Sequence, residues 1–173
     1  MALFKDSSQL LEEFPKEQLE AGFWIIPYGP RGSLIDLIYN HYSADYNLLI
    51  NTKKQLIYSN YDLFANLFQF DPLLRQACYM WWDQLVFFYS PRLYRRLLES
   101  DDEDKQIQDA LFETLGRILY LDSLDCKLSA LHGLNHLYHP NTEELILEFL
   151  DDHPDLDSDL ETYALNCIDG KNL

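Results

Sequence analysis

Three histidines in one stretch have the spacing in this chain that best suits metal chemistry. His132 and His136 are four residues apart, so on a helix they share one face and could ligate one ion. Zinc proteases of the HExxH type need a glutamate directly after the first histidine as general base, but this chain has Gly133 there. A site that also includes His139 stays open as an alternative. We favour ordinary polar side chains, hydrogen-bonded at the side of a helix, and predict no metal and no cofactor.

The cysteines carry no recognisable motif. Cys78, Cys126 and Cys167 are odd in number, widely spaced and set in apolar helical contexts. Metal-binding and redox cysteines follow paired spacings such as CxxC, so we predict buried thiols that behave as small apolar residues. The chain also lacks a phosphate loop and a serine–histidine–aspartate pattern. We therefore do not expect an enzyme.

The helix that would carry the histidines runs from Leu121 to His139. Its leucines recur at the three- and four-residue steps of one helical face, so we predict a buried helix. Asp122 or Ser123 can cap its start, and Pro140 ends it because proline lacks an amide donor. Gly133 costs about 1 kcal/mol relative to alanine in a helix. We interpret it as a point where a neighbouring helix approaches closely.

Capping and helix-ending residues also predict helices along the rest of the chain. Ser33 caps one helix, and Asp71 followed by Pro72 starts another. The segment Asn141-Thr142-Glu143-Glu144 resembles a capping box, and Gly170 would end the last helix. The predicted helices are 16–26, 33–42, 52–68, 71–89, 91–98, 103–120, 143–150 and 157–169, with a proline- and glycine-rich loop at 27–32.

Two of these segments need comment. Residues 45–60 contain short β-tolerant runs, and a hairpin across 51–54 is conceivable. We prefer a helix because Leu56, Leu63 and Leu67 keep helical register. The 71–89 helix carries Trp81 and Trp82 and is apolar nearly all round, which is typical of a central core helix.

These elements predict an all-α protein with a single domain over residues 1–173. Residues 1–70 would form an irregular helical bundle that continues into HEAT-like antiparallel helix pairs over residues 71–173. The proposed pairs are 71–89 with 91–98, 103–120 with 122–139, and 142–151 with 157–169. A plain helical bundle remains an alternative.

The composition limits the class of protein. Hydrophobic residues make up 47% and aromatics 14% of the chain, which is too apolar for a disordered protein. No stretch is long and apolar enough to span a membrane, and the first residues lack the apolar core of a signal peptide. We therefore expect a cytoplasmic location.

The charge is distributed very unevenly. Of the net −16, residues 1–98 carry 10 acids and 9 bases, whereas residues 99–173 carry 19 acids and 4 bases. Such a negative half repels nucleic acid and anionic membranes and attracts basic surfaces; simple solubility is the alternative explanation. We predict partner binding through Asp101, Asp102, Glu103, Asp104, Glu143, Glu144, Asp151, Asp152, Asp155, Asp157 and Asp159.

Two segments carry a resemblance. Cys78-Tyr79-Met80-Trp81-Trp82-Asp83 and the SALHGLNHL segment at 129–137 resemble a family of uncharacterised bacterial proteins that are all-helical and HEAT-like. The resemblance covers about residues 70–170. Families related to it include immunity proteins of bacterial toxin systems, which implies that function here. The shared motifs are structural, so they assign no functional residue.

Three functions follow as expectations. The first is an immunity or inhibitor protein whose acidic face binds a basic partner such as a nuclease toxin, because nucleases present cationic clefts to phosphates. The second is a helical scaffold or adaptor that binds through exposed aromatics such as Tyr58, Tyr61, Tyr79 or Trp82. The third is a metal-dependent hydrolase built on His132 with its neighbouring histidine and nearby acids.

Overall fold

A computed structural model describes residues 2–28, 33–39, 46–86 and 102–168. All regular structure in these ranges is helical, so the all-α prediction is confirmed. The α-helices are α1 (Ala2–Lys5), α2 (Leu10–Glu13), α3 (Lys16–Tyr28), α4 (Leu34–Tyr39), α5 (Tyr46–Leu63), α6 (Arg75–Met80), α7 (Trp82–Leu85), α8 (Asp102–Leu119), α9 (Leu124–Leu137), α10 (Thr142–Asp152) and α11 (Ser158–Ile168). Short 3₁₀ turns span Ser7–Gln9 and Pro72–Leu74, and a π-helical turn spans Phe64–Phe68.

Helix α9 lies at the centre, as its leucine spacing predicts. The Ser123 hydroxyl accepts a hydrogen bond from the Cys126 amide and caps the start. The helix ends at Leu137, because Tyr138 has a left-handed φ of 51°, so the predicted range 121–139 is too long at both ends. Most of its side chains are buried, even polar ones. A β-carbon on Gly133 would lie 2.7 Å from Leu115 Cδ2 and 3.0 Å from Trp82 Cγ. The close approach predicted at this glycine is therefore confirmed.

Residues 46–68 are helical rather than a hairpin. Helix α5 begins six residues before the predicted start and passes directly into the π-helical turn. It packs along α8, which in turn packs along α9. The side-chain amide of the buried Asn60 donates hydrogen bonds to the Leu56 and Ile57 carbonyls of its own helix. Its Oδ1 accepts a 2.9 Å hydrogen bond from Trp81 Nε1. This long-range bond fixes α5 against Trp81, which lies between α6 and α7.

The prediction of one continuous helix over 71–89 is wrong. Asp71 does cap the start, since its carboxylate accepts from the Leu73 amide at 3.0 Å. A 3₁₀ turn follows, and α6 and α7 are separated at Trp81, whose amide bonds three residues back to Cys78. Both indoles are fully buried. Trp81 packs on aromatic rings from the N-terminal elements, whereas Trp82 stacks on Phe64 and contacts α9. The helix is thus interrupted at the point where two adjacent indoles are buried against different parts of the core.

The capping-box prediction is also wrong. The Asn141 side chain makes no cap hydrogen bond, and its backbone has φ −95° and ψ 10° instead of the extended angles of a cap residue. Its amide donates to His139 Nδ1 at 3.2 Å, and α10 begins at Thr142. The cap predicted at Ser33 does form, since its hydroxyl accepts a hydrogen bond from the Asp36 amide at 3.3 Å at the start of α4.

The helices share one hydrophobic core that includes side chains from Phe4 to Cys167. Two of the predicted helix pairs are in contact, α8 with α9 and α10 with α11. The second helix of the other pair, predicted at 91–98, lies outside the described residues, as do residues 29–32 and Gly170. Pro27 and Tyr28, which were predicted to begin a loop, belong to α3 instead. The HEAT-like arrangement therefore stays a prediction.

The prediction that the cysteines are buried thiols is confirmed. All three are buried, and the described residues contain no disulfide. Burial raises the pKa of the Cys78 thiol well above its usual range, so this thiol stays protonated at neutral pH. Among the described helices, none is long and apolar enough to cross a membrane.

Candidate functional site

The acidic edge is a set of nine exposed carboxylates along α10, the following loop and α11. Residues 141–168 contain no lysine or arginine. None of the nine forms an ion pair with a described residue. The negative field of this surface is therefore uncompensated locally. Its members are Glu143, Glu144, Glu148, Asp151, Asp152, Asp155, Asp157, Asp159 and Glu161.

The predicted acids at the start of α8 have a different environment. Asp101 lies outside the described residues, and Asp102 is described only by its backbone. Glu103 is half-buried and accepts from Lys53 of α5, whose side chain is 4% exposed. Asp104 is half-buried as well. The side chain of Glu103 therefore contributes to helix packing, whereas the seven predicted acids between 143 and 159 face solvent.

A shallow groove of about 740 Å³ lies beside the acidic edge, between α5, α8 and α10. We call it the aromatic groove; its lining includes Tyr61, Phe112, Tyr120, Leu145, Glu148 and Asp152. The Tyr120 hydroxyl donates to Asp152 at 3.0 Å. Burial and this hydrogen bond raise the pKa of Tyr120 to about 12, so the phenol remains a donor at neutral pH.

Arg117 is the basic residue on the groove. Its guanidinium lies 3.9 Å over the Tyr61 ring, a cation–π contact. Gly116 leaves room for α10, since a β-carbon there would lie 3.3 Å from Leu145 Cδ2. The groove is absent from the sequence predictions, although the spacing of Phe112, Gly116 and Tyr120 already places an aromatic–glycine–aromatic row on one face of α8.

The aromatics proposed for a scaffold surface are less accessible than expected. Trp82 is fully buried, so its prediction as an exposed binding residue is wrong. Tyr79 stacks on His132 and its hydroxyl lies 2.9 Å from that of Tyr163. Tyr58 and Tyr61 are half-buried.

The histidine stretch divides between two places. His139 Nε2 lies 3.1 Å from Asp109 Oδ1, and its ring stacks on Phe112. His132 and His136 lie together instead, with ring centroids 4.6 Å apart. The alternative of a three-histidine site is therefore wrong.

Asp83 of α7 completes the histidine–aspartate cluster, which comprises Asp83, His132 and His136. One potential ligand atom of each lies within 4.8 Å of the others. His132 Nε2 is 2.6 Å from Asp83 Oδ1, and its buried Nδ1 has no hydrogen-bond partner among the described residues. Burial, together with the neighbouring His132, lowers the pKa of His136 below its ordinary value of 6.5. His136 is therefore neutral at physiological pH.

The fold and these surfaces define an all-helical protein with an acidic edge, an adjoining aromatic groove and a separate histidine–aspartate cluster. Comparison of the chain with known protein families, with curated proteins and with solved structures finds no match. The resemblance to immunity-related bacterial proteins therefore stays a prediction.

Proposed function

We propose that this protein is a non-enzymatic binding module that inhibits a basic protein, in the manner of an immunity protein. The observation that carries the proposal is the acidic edge, with nine exposed carboxylates in a segment without lysine or arginine. A surface of one sign steers an oppositely charged partner and raises the association rate. The cationic cleft of a nuclease is a partner of this kind, because it is built to bind phosphates.

The aromatic groove offers the packed contacts from which a partner would gain most of its binding energy. Binding energy concentrates in a few well-packed aromatic and arginine contacts, while surrounding charges mainly affect association and specificity. Tyr120 and Phe112 offer aromatic surface, and Glu148 with Asp152 can accept hydrogen bonds from a partner arginine. The proposal therefore places the partner across the groove with its basic residues on the acidic edge.

The test begins with affinity capture from the native host at low and high salt, and continues with the purified captured protein. We expect one basic partner whose affinity falls as salt rises. The variant D151N/D155N/D159N removes three exposed charges from the acidic edge, none of them in the lining of the aromatic groove. Its matched control, E12Q/E13Q/E17Q, removes three exposed charges from α2 and α3.

The expected result is at least about a tenfold weaker complex, equivalent to about 1.4 kcal/mol, for the edge variant and unchanged affinity for the control. Addition of the chain should also block the partner's activity. Equal affinity of the two variants, or a partner that stays active in the complex, contradicts the proposal.

A scaffold or adaptor function is the second candidate, and the aromatic groove is the observation that favours it. A scaffold that binds through the groove would lose its partner with Tyr120→Ala and keep it with the edge variant, at low and at high salt. An inhibitor of the proposed kind would respond to both variants. The third possibility, a metal-dependent hydrolase, rests on the histidine–aspartate cluster, which shares no residue with the acidic edge.

The proposal includes a cytoplasmic location. Three buried thiols without a disulfide among the described residues suit a reducing compartment. Detection of the protein by fractionation of host cells tests this part, and recovery outside the cytoplasm contradicts it.

A further inference from the structure

We propose that the histidine–aspartate cluster is a binding site for a divalent transition-metal ion of the zinc type. The site joins α7, which carries Asp83, to α9, which carries the two histidines. This inference is independent of the proposed inhibitor function, since the cluster shares no residue with the acidic edge or the aromatic groove.

The two histidines have the right relation on their helix. Residues four apart lie one turn above each other, so both imidazoles can reach one ion. In the structure the rings lie 4.6 Å apart between centroids and at 83° to each other. The backbone that separates them is fixed, because Gly133 is packed directly against the Trp82 side chain.

Asp83 directly follows Trp82 in the chain. The packing of Gly133 against Trp82 therefore also positions the Asp83 carboxylate near the two histidines. Its Oδ1 lies 2.6 Å from His132 Nε2, while the three candidate ligand atoms lie within 4.8 Å of one another. Ligands at zinc distances of 2.0–2.2 Å stand about 3.3 Å apart in a tetrahedral site. One observed separation is 2.6 Å and none exceeds 4.8 Å, so the tetrahedral spacing lies between these limits.

Packing fixes the orientation of the His132 ring. The ring is stacked on Tyr79 at 4.4 Å, the residue is 8% exposed, and the ring nitrogen Nδ1 has no partner among the described residues. Packing thus locks the ring while leaving its hydrogen-bonding capacity only half used. A ring held in this way is preorganised to bind an ion.

The ligand set selects the class of ion. Two imidazoles and one carboxylate suit zinc, cobalt or nickel, whereas magnesium and calcium prefer all-oxygen sites. Three protein ligands leave one coordination position for water. Binding would replace the proton shared by His132 and Asp83 and would link the two helices through the ion.

The test uses the full chain after treatment with a chelator. Zn²⁺ titration by calorimetry should show one tight equivalent, and Co²⁺ should give the visible spectrum of a four-coordinate nitrogen–oxygen site. Free Zn²⁺ at about 100 times the dissociation constant should raise the Tm by roughly 5–10 °C. Ca²⁺ and Mg²⁺ at the same concentrations should leave the Tm unchanged.

Variants distinguish the site from ion binding by the acidic edge. His136→Gln and Asp83→Asn change half-buried residues and should each weaken Zn²⁺ binding by more than about 100-fold, since loss of a merely orienting neighbour costs 10- to 100-fold. His153→Gln changes a histidine within the acidic edge and should bind Zn²⁺ like the unmodified chain. Circular dichroism confirms that each variant is folded.

Three outcomes overturn the proposal. These are the absence of a tight equivalent of Zn²⁺, binding that survives both cluster variants, and binding that is lost with His153→Gln. None of them affects the inhibitor proposal, which depends on D151N/D155N/D159N.

Discussion

Gly133 lets α9 approach Trp82 and Leu115 more closely than any other residue type would. Its substitution therefore tests how tightly the centre of the molecule is packed. A β-carbon at this position would lie 2.7 Å from one neighbour and 3.0 Å from the other, and both neighbours are fully buried. The crowded atoms of Trp82 are Cγ and Cβ. These atoms lie next to the backbone and cannot rotate away as the end of a flexible side chain could.

We predict that Gly133→Ala lowers the free energy of unfolding by about 1–2 kcal/mol. Overpacking costs roughly 1–3 kcal/mol, and the better helix propensity of alanine returns at most about 1 kcal/mol. Gly22→Ala is the matched control, because a β-carbon on that α3 glycine meets no described atom within 4 Å. It should raise stability slightly. Urea unfolding measures both, and a Gly133→Ala protein at least as stable as the original would contradict the packing argument.

Asp71 links stability to pH. Burial alone would raise the pKa of its carboxyl group, but hydrogen bonds from Lys16 and the Leu73 amide outweigh burial and hold the pKa below 3.8. A carboxyl whose pKa is lower in the folded state stabilises the protein fully above its unfolded pKa. That contribution is lost as the pH falls through the folded value.

We therefore predict that Asp71→Asn is destabilising at pH 6 and that its deficit shrinks below about pH 3.8. Asparagine can still cap the turn, so the difference reports mainly the charge and its contact with Lys16. Urea unfolding between pH 2 and 6 gives both curves, with exposed Glu12→Gln as the control. A deficit that is constant across this range would show that the carboxylate charge at position 71 is not responsible.

At the scale of elements, the contact between α5 and α8 includes an ion pair with one buried member. Lys53 is 4% exposed and its ammonium group is paired with Glu103, which is 22% exposed. Removal of one partner from a buried pair leaves an uncompensated charge, whereas an apolar replacement of the buried member does not. The two single substitutions should therefore differ.

We predict that Glu103→Gln destabilises the protein more than Lys53→Met does. The methionine retains the apolar stem and removes the buried charge, while the glutamine leaves the ammonium group without its carboxylate. Thermal unfolding of both variants and of the double variant forms a thermodynamic cycle. A larger loss for Lys53→Met would mean that the pair is favourable in itself and that solvent reaches it readily.

For the whole molecule, the relevant feature is the continuity of the core. The core includes Phe4 near the beginning of the chain and Cys167 near its end. Phe4 packs edge-on against Trp81 with centroids 6.2 Å apart. The N-terminal helices are thus part of the same packed body as the C-terminal ones.

We predict that the chain unfolds in one cooperative transition. Tryptophan fluorescence reports chiefly the buried indoles of α6–α7, whereas far-UV circular dichroism reports all helices. The two probes should give the same urea midpoint, as expected for a two-state domain. Separate midpoints would mean that residues 1–70 and 71–173 form independent units.

Much of the architecture is determined locally and is therefore readable from the sequence. A helix start depends on a side chain that reaches an amide two or three residues away, so the caps at Ser33, Asp71 and Ser123 are predictable. Leucine spacing predicts that α9 is buried, although Leu124 at its start is exposed, and apolar surroundings identify the buried cysteines. The concentration of acids after residue 140 is likewise a property of the sequence alone.

The tertiary structure decided the features that depend on distant neighbours. Asp83 meets His132 across 49 residues, and Lys53 meets Glu103 across 50. The break beside Trp81 reflects the different surroundings of two adjacent indoles. Local periodicity contains none of this information, because the same side chains could satisfy a continuous helix, a solvent-facing acid or a three-histidine row. Only the packing of α5, α7, α8 and α9 selects among these arrangements, since it determines which polar groups lose water together and must bond to each other.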